Sequence, residues 1–419
     1  MKIFKDYFDY FIIFLLIYTS RETVLFGTNN DSTIALLGFC APVIVLILLF
    51  FRKDKARGSN VFKYNDRSRD TAIIIIFMII MTMVINLDLN VKYGYEILLC
   101  LIAYNIANQV VFERFARVYS DIMEFLSLFA IVTFVIYIIY PGIFGVFPVI
   151  TNKSSLDYIF LGLSVLPKEL LGVVLRMYGI FREPGVAIIF VNLALLFELF
   201  VINRSKSLRV SILVLTVGFS LSTAGFILTF LIILTYVLHS QKKHYLTTVV
   251  LLAFIFVLAF IILQNDFIYM AVFDKFNQSE SSSTGARFGS VINNIKLVID
   301  NPIGLIFGLG YQFVEDYFAN LGGAARGEEH NTNTMLKELS IHGFLFFSFF
   351  LLKIFDFSKN LFHKEYFCSI LVFATIVLAL SNEDLTVDII LYLIVFYSCK
   401  NKLYVQKRND RTINPSYMF

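Results

Sequence analysis

Long runs of apolar residues recur along almost the whole chain, and they limit its possible folds more than any other feature. A helix needs roughly 20 apolar residues to cross a bilayer, and somewhat fewer where the bilayer thins. The candidate runs lie near residues 8–26, 33–51, 71–87, 95–112, 122–140, 186–203, 210–238, 246–263, 341–355, 367–381 and 386–399. With 58% apolar residues, 16% charged residues and a mean hydropathy of +0.77, the chain has more apolar surface than a soluble domain can bury. We therefore predict an all-α polytopic membrane protein.

Lysine and arginine in the short connections predict the orientation, because cytoplasmic loops are enriched in them. Residues 52–70 are strongly basic, Lys2 and Lys5 precede the first apolar run, and the tail 400–419 is basic as well. Both termini are therefore expected to face the cytoplasm. The first run has no small-residue cleavage site after it, so we interpret it as a retained span.

The apolar stretch 210–238 decides the number of spans. A single crossing would place Lys242 and Lys243 outside the cell. Two crossings, with a turn at Ser222-Thr223-Ala224-Gly225, place every basic loop inside and both long polar stretches outside, although each half then has only about 13 residues. We favour the double crossing, which gives about 12 transmembrane helices, whereas a single crossing gives about 11.

Two long polar stretches interrupt the apolar pattern, and both are predicted to be external. The chain is thereby divided into N-terminal transmembrane helices (1–140), an external loop (141–185), central transmembrane helices (186–263), a large external loop (264–340), C-terminal transmembrane helices (341–399) and a cytoplasmic tail (400–419).

Both external loops show apolar residues at roughly helical spacing. In the first loop this spacing covers 154–178, with Pro167 in the first turn of a second short helix, and in the second loop it covers 287–300. We expect these amphipathic helices to lie along the outer membrane boundary and to cover whatever is bound beneath them. The glycines of NPIGLIFGLG (301–310) predict a sharp bend or a close approach of another backbone.

Arginines in the external loops are candidates for binding phosphate. Arg176 and Arg182 flank a turn that ends in Glu183-Pro184-Gly185. An acidic residue followed by proline is typical of a helix start, so one interpretation is purely structural. The functional interpretation is that Arg176 or Arg182 binds an anionic phosphate and that Arg287 supplies a second cation.

The segment RGEEHN (326–331) carries the candidate catalytic groups. His330 is able to accept a hydroxyl proton near neutral pH, and Glu328 or Glu329 would orient it or act as the base instead. The alternative is that Asn331, or the threonine after it, caps the next helix. A single histidine beside carboxylates is a poor zinc site, and the four cysteines have no metal-ligand spacing, so we predict neither a metal nor another cofactor. The alternative that stays open is Mg²⁺ or Mn²⁺ bound by Glu328 and Glu329.

The remaining polar groups give weaker indications. Asn192 and Glu198 lie within one apolar run and need partners there, whereas Asp384 and Asp388 lie on the external side, where they would extend the polar pocket. The net charge of +4 is dispersed over short loops, which argues against a nucleic-acid partner.

Several motifs, taken in order, resemble the O-antigen polymerase (Wzy) family of the O-antigen ligase/polymerase superfamily. They are RMYGIFREPG before a span, LSTAG between two short spans, NPIGLIFGLG, and HN ahead of the next span. The resemblance covers roughly residues 170–350, and the first five spans match in hydropathy only. It implies a fold similar to GT-C-type glycosyltransferases, in the inner membrane of a bacterium.

The resemblance also implies an activity. A growing glycan would be transferred from undecaprenyl diphosphate to a hydroxyl of a new lipid-linked repeat unit, with inversion and without a metal, at the periplasmic face. The expected partners are the lipid-linked donor and acceptor and a chain-length regulator protein. By this resemblance Arg176 or Arg182, together with Arg287, matches the diphosphate-binding arginines, and His330 matches the catalytic His-Asn site. From the residues themselves we add Glu329 in catalysis and Glu183, Arg326, Asn331 and Asn333 in support.

One departure from the family pattern concerns the histidine. Eleven residues separate His330-Asn331 from Gly343, where the family commonly has nine, and Thr332-Asn333 fits the common spacing instead. Two other functions stay open, namely an O-antigen ligase of the same superfamily and a flippase or transporter of lipid-linked oligosaccharides.

Overall fold

The computed structural model describes residues 2–56, 66–152, 156–168, 175–202, 207–240, 283–321, 331–362 and 365–400, and this part of the chain is mostly helical. Its helices are α1 (Lys2–Tyr18), α2 (Ser32–Ala56), α3 (Asp66–Ile85), α4 (Val91–Gln109), α5 (Phe112–Ile139), α6 (Pro184–Phe200), α7 (Ser207–Ser220), α8 (Thr223–Ser240), α9 (Ser283–Asp300), α10 (Pro302–Phe307), α11 (Tyr311–Leu321), α12 (Thr334–Leu361), α13 (Tyr366–Asn382) and α14 (Ile389–Ser398). A short π-helical turn (Val24–Thr28) and a 3₁₀ turn (Pro141–Val146) follow α1 and α5.

The helices of this part of the chain agree with a helical membrane protein. By length and composition, four of those described are able to cross a membrane, namely α2 (over Ser32–Arg52), α3, α5 and α12. Shorter apolar helices accompany them: Tyr7–Tyr18, Pro184–Phe200, Ser207–Ser220, Thr223–His239, Tyr366–Asn382 and Ile389–Ser398. Nearly every residue of α6 and every residue of α14 is buried, so these two helices form the centre of the bundle.

The apolar stretch 210–238 forms two helices, α7 and α8, that run in opposite directions. The chain reverses at Leu221, which has a positive φ of 46°. Near the start of α7, Arg209 pairs with Asp121 of α5 at 2.5 Å, whereas the α7 end lies at the opposite end of the bundle, where the Met177 amide donates to the Phe219 carbonyl. The helix α8 then returns alongside α6, and the Thr229 hydroxyl donates to Asn192 at 2.8 Å. The predicted reversal is thus present, and it also gives the side-chain oxygen of Asn192 a hydrogen-bond donor.

The first external stretch differs from the helical prediction over 156–168. It forms an antiparallel sheet in the order β1 (Val149–Thr151), β2 (Asp157–Phe160) and β3 (Val165–Pro167). Neighbouring residues of β2 face different partners, because Tyr158 packs against Val24 and Ile159 packs in a separate cluster. This alternation suits a strand rather than a helix. Pro167 therefore ends a strand instead of starting a helix; residues 153–155 and 169–174 lie outside the described part.

The second external stretch contains the predicted helix as α9, but its buried face combines polar and apolar residues. Ser290 and Asn294 are buried together with Leu297 and Val298, whereas Ile295 is exposed, as are Ile292 and Ile299. The reason is that Ser290 and Asn294 find polar partners in the segment before α12. The exposed isoleucines suit contact with lipid at the membrane boundary.

Two glycines allow the backbone of NPIGLIFGLG to lie directly on α12. Gly308 and Gly343 both have a positive φ, of 81° and 83°, and Gly343 bends α12. A Cβ on Gly343 would come within 2.4 Å of the Gly308 amide nitrogen and the Ile306 carbonyl oxygen. The Leu309 and Gly310 amides donate to carbonyls of α12 at 2.8 and 3.1 Å. The close backbone approach predicted from the glycines is therefore confirmed.

Replacing Gly343 by alanine should destabilise the protein by on the order of 3 kcal/mol, because the new methyl group meets backbone atoms and the positive φ adds strain. Thermal unfolding of the detergent-solubilised protein, followed by circular dichroism, measures the effect. Gly94→Ala is the control, since a Cβ there meets nothing within 4 Å, and it should change stability by no more than about 1 kcal/mol. Equal melting temperatures for the two variants would contradict the packing described.

Candidate functional site

Arg182 joins three segments at the end of the bundle where α1, α5 and α13 finish and α6, α12 and α14 begin, called here the loop end. Its side chain pairs with Glu22 at 2.9 Å and donates to the Asp384 carbonyl at 3.1 Å. Its backbone amide donates to the Glu22 carbonyl at 2.9 Å. The adjacent carboxylate of Glu183 lies at 3.4 Å. Arg182 is thus held from several sides, and its side chain is 21% exposed.

The start of α12 reaches the same place through Lys337 and Thr334. Lys337 pairs with the Asp384 carboxylate at 2.7 Å, and Thr334 donates its hydroxyl to the Glu383 carbonyl. The Leu385 amide donates in turn to the Thr334 hydroxyl at 2.7 Å. The segment between α13 and α14 therefore lies between two cations, Arg182 from the first external stretch and Lys337 from the second.

Electrostatic interactions at the loop end favour the charged forms of Arg182 and Asp384. Burial opposes the charge of Arg182, but the carboxylates of Glu22, Glu183, Glu383 and Asp384 together raise the pKa of its guanidinium above the usual range. Burial also opposes ionisation of Asp384, yet Lys337, the Thr386 hydroxyl and Arg182 hold the pKa of that carboxyl below its ordinary value. An arginine that is fixed and always charged is suited to stabilise negative charge on a bound group.

The REPG segment also forms the predicted helix start. Glu183 is the N-cap residue of α6 with extended backbone, and Pro184 occupies the first helical position. The Glu183 side chain makes no capping hydrogen bond and is half exposed. The structural and functional interpretations of this segment are therefore compatible, since the same turn starts α6 and positions Arg182.

Asn331 and Asn333 both make hydrogen bonds that shape the loop end. Asn331 exchanges hydrogen bonds with Asn294 at 2.9 and 3.1 Å and accepts one from the Ser290 hydroxyl at 2.9 Å. Asn333 caps α12 by accepting from the Leu336 amide at 2.9 Å. The cap prediction is therefore wrong, because Asn333 caps α12 and neither Asn331 nor Thr332 does. Asn331 instead ties the segment before α12 to α9.

The other predicted site residues are described only in part. Arg176 is half-buried in the segment that leads to α6, with its charge close to Tyr178. Arg287 lies three residues before Ser290 in α9, and its side chain is outside the described part. Arg326, Glu328, Glu329 and His330 are also outside it.

Sequence reasoning missed Arg21 and Glu22, which were assigned to the first span. The helix α1 ends at Tyr18, so both residues lie in the connection to α2. Arg21 is exposed and makes no ion pair or hydrogen bond with the described residues. The available signal was the adjacent charged pair itself, because two charges inside a lipid-facing span are costly. Asp384, in contrast, pairs with Lys337 at the loop end and accepts a hydrogen bond from Arg182 through its carbonyl.

No protein-family model matches this chain, and no curated protein or solved structure is significantly similar to it.

The buried carboxyl group of Asp388 should make the stability of the fold depend on pH. Its Oδ1 accepts the Ile390 amide at 2.8 Å, while Oδ2 has no hydrogen-bond partner in the described ranges. Burial, with Glu22 nearby, raises the pKa of Asp388 to about 7. Because the folded-state pKa lies above the unfolded one, the carboxyl stabilises the fold at low pH, and that contribution is lost as the pH rises toward and through 7.

We therefore expect Asp388→Asn to match the wild type in stability near pH 4 and to exceed it above pH 7, because asparagine keeps the cap but never ionises. Thermal unfolding of both proteins in detergent from pH 4 to 8 measures the difference. Asp316→Asn, in the external helix α11 and at an exposed position, is the control. A stability difference that does not grow with pH would contradict a buried, titrating Asp388.

Proposed function

We propose that this chain is a membrane glycosyltransferase that polymerises a bacterial surface polysaccharide. A growing glycan is transferred from undecaprenyl diphosphate to a hydroxyl of a new lipid-linked repeat unit. The observation that supports this proposal most directly is the meeting of the two external stretches at the loop end, with Arg182 held rigidly by Glu22 and with Arg21 exposed beside it.

The proposed reaction places developing negative charge where fixed cations lie. The acceptor hydroxyl attacks the anomeric carbon, the bond from that carbon to the diphosphate oxygen breaks, and the electron pair stays on the phosphate. His330, or Glu329 beside it, takes the proton of the acceptor hydroxyl. Pre-positioned guanidinium groups stabilise the leaving diphosphate, so the step needs no metal. Attack from the face opposite the diphosphate gives inversion.

The cations at the loop end are already paired with carboxylates, so other residues must neutralise the diphosphate in the proposed reaction. Arg182 and Lys337 are matched by carboxylates there, since Glu22 and Asp384 pair with them directly. A dianionic diphosphate therefore needs further cations. Arg21 and Arg287 are the residues we assign to this role, together with Arg176, and Arg182 contributes the exposed part of its side chain.

Variants of the arginines test this proposal in cells. Arg287→Ala and Arg182→Ala should each reduce long glycan chains by on the order of 10²-fold or more. Arg287→Ala should leave single-repeat product and protein level intact, whereas Arg182→Ala also leaves Glu22 without its cation and should lower the protein level, so its ladder is compared at equal amounts of protein. Chain-length ladders on gels measure the glycan, and immunoblots of membranes measure the protein. Arg117→Ala is the control, because Arg117 pairs with Glu113 at the opposite end of the bundle. Normal ladders in both site variants would refute the proposal.

The ligase alternative is distinguished by the deletion phenotype. Loss of a polymerase leaves a surface glycan of one repeat, whereas loss of a ligase leaves long chains attached to the lipid carrier. The second result would move the assignment to the ligase of the same superfamily, with the same diphosphate chemistry.

One observation favours a second candidate, which is transport of lipid-linked oligosaccharide. Glu96, Glu338 and His342 are buried together between α4 and α12, and ionisable groups among helices are typical of transporters. A transporter would move the lipid-linked oligosaccharide across a proteoliposome membrane without forming a glycosidic bond. Movement without bond formation would favour this candidate.

A further inference from the structure

Three ligand-type side chains meet beneath the loop end, between α4 and α12. The Nε2 atom of His342 lies 3.2 Å from a carboxylate oxygen of Glu96 and 3.7 Å from one of Glu338. The ligand atoms of all three residues lie within 4.8 Å of one another. None of the three side chains is more than 2% exposed.

Several buried polar atoms of this cluster have no hydrogen-bond partner among the described residues. Tyr311 donates its hydroxyl to Glu96 at 2.5 Å, but neither carboxylate oxygen of Glu338 has a hydrogen-bond partner among the described residues. One imidazole nitrogen carries at most one proton, so it cannot donate fully to two carboxylates. A buried carboxylate without a partner costs several kcal/mol, by order of magnitude, unless a cation compensates it.

The nearest side-chain cations are already paired. Lys337, next to Glu338 in the chain, pairs with Asp384 at 2.7 Å. Lys92, one helical turn before Glu96, pairs with Glu315. In their ionised form the two carboxylates balance the charge of a divalent ion, and the imidazole binds it as a neutral ligand.

We propose that Glu96, Glu338 and His342 bind a divalent transition-metal ion of the zinc type. Metal–ligand distances of about 2.0–2.2 Å in a tetrahedral site place the ligand atoms about 3.3–3.6 Å apart. The observed separations of 3.2 and 3.7 Å fit this spacing with little movement. An imidazole with two carboxylates suits zinc, and it also suits manganese and iron. Tyr311 then orients Glu96 from outside the ligand set.

The position of the cluster indicates a structural role for the ion. Glu338 and His342 lie one turn apart on α12, and His342 immediately precedes the bend at Gly343. The same bend receives the backbone of Gly308. An ion shared between α4 and α12 would fix this bend. Because Glu338 is a ligand, the ion would also fix the position of the adjacent Lys337. The ion is thus distinct from the transfer chemistry, which we propose to be metal-independent.

Metal analysis of the purified full-length protein tests the site. Protein purified without a polyhistidine tag, stripped with a chelator and titrated with Zn²⁺, should bind about one ion per chain at this site. Glu338→Gln and His342→Gln should each weaken binding at least 100-fold, and the chelator should lower the melting temperature of the wild type but not of these variants.

His239→Gln is the matched control. It removes a histidine from a second, partly exposed group with Glu365 and Cys368 at the opposite end of the bundle, and it should leave the buried site loaded. Should the site variants fail to purify, X-ray absorption of the zinc-loaded wild type must show one imidazole with oxygen ligands. Absence of zinc binding in the wild type, binding lost only in His239→Gln, or a sulfur ligand in the spectrum would overturn the proposal.

Discussion

The ion pair between Arg182 and Glu22 is the interaction on which the loop end depends. The two residues are 160 positions apart in the chain, and they join the connection after α1 to the start of α6. Asp384 adds the connection before α14, and Lys337 adds α12. Removing one partner of such a buried pair leaves an uncompensated charge and typically costs about 3–5 kcal/mol. The same pair that assembles this end of the bundle also holds the Arg182 guanidinium in a fixed position.

A backbone contact beneath the loop end, between the segment 301–310 and α12, fixes α12 relative to these ion pairs. Gly308 and Gly343 bring two backbones into contact, and the bend in α12 places His342 toward Glu96 of α4. Packing of backbone on backbone leaves little freedom for α12 to slide, because any side chain in the contact would clash. The position of Lys337 follows from that contact. Fold and site are therefore coupled through one short stretch of α12.

Local chemistry predicted part of this arrangement correctly. Pro184 starts α6, the stretch 210–238 turns back on itself, and the glycines of 301–310 mark a close backbone approach. Each of these features depends on residues within one turn or one helix. The strands in 157–167 were predicted as helix because their alternation is set by partners elsewhere, such as Val24, which the local spacing does not show. The contact between Glu96 and His342 spans 246 positions and was equally invisible in the sequence.

We propose that the fixed cations of the loop end support transfer of a glycan from a lipid diphosphate. The most direct measurement reconstitutes the purified full-length protein in liposomes with a lipid-linked repeat unit alone, without nucleotide or an ion gradient, and follows glycan length by electrophoresis. We expect a ladder of longer lipid-linked glycans together with release of undecaprenyl diphosphate. Repeat units that stay single while the reconstituted protein is folded would contradict it.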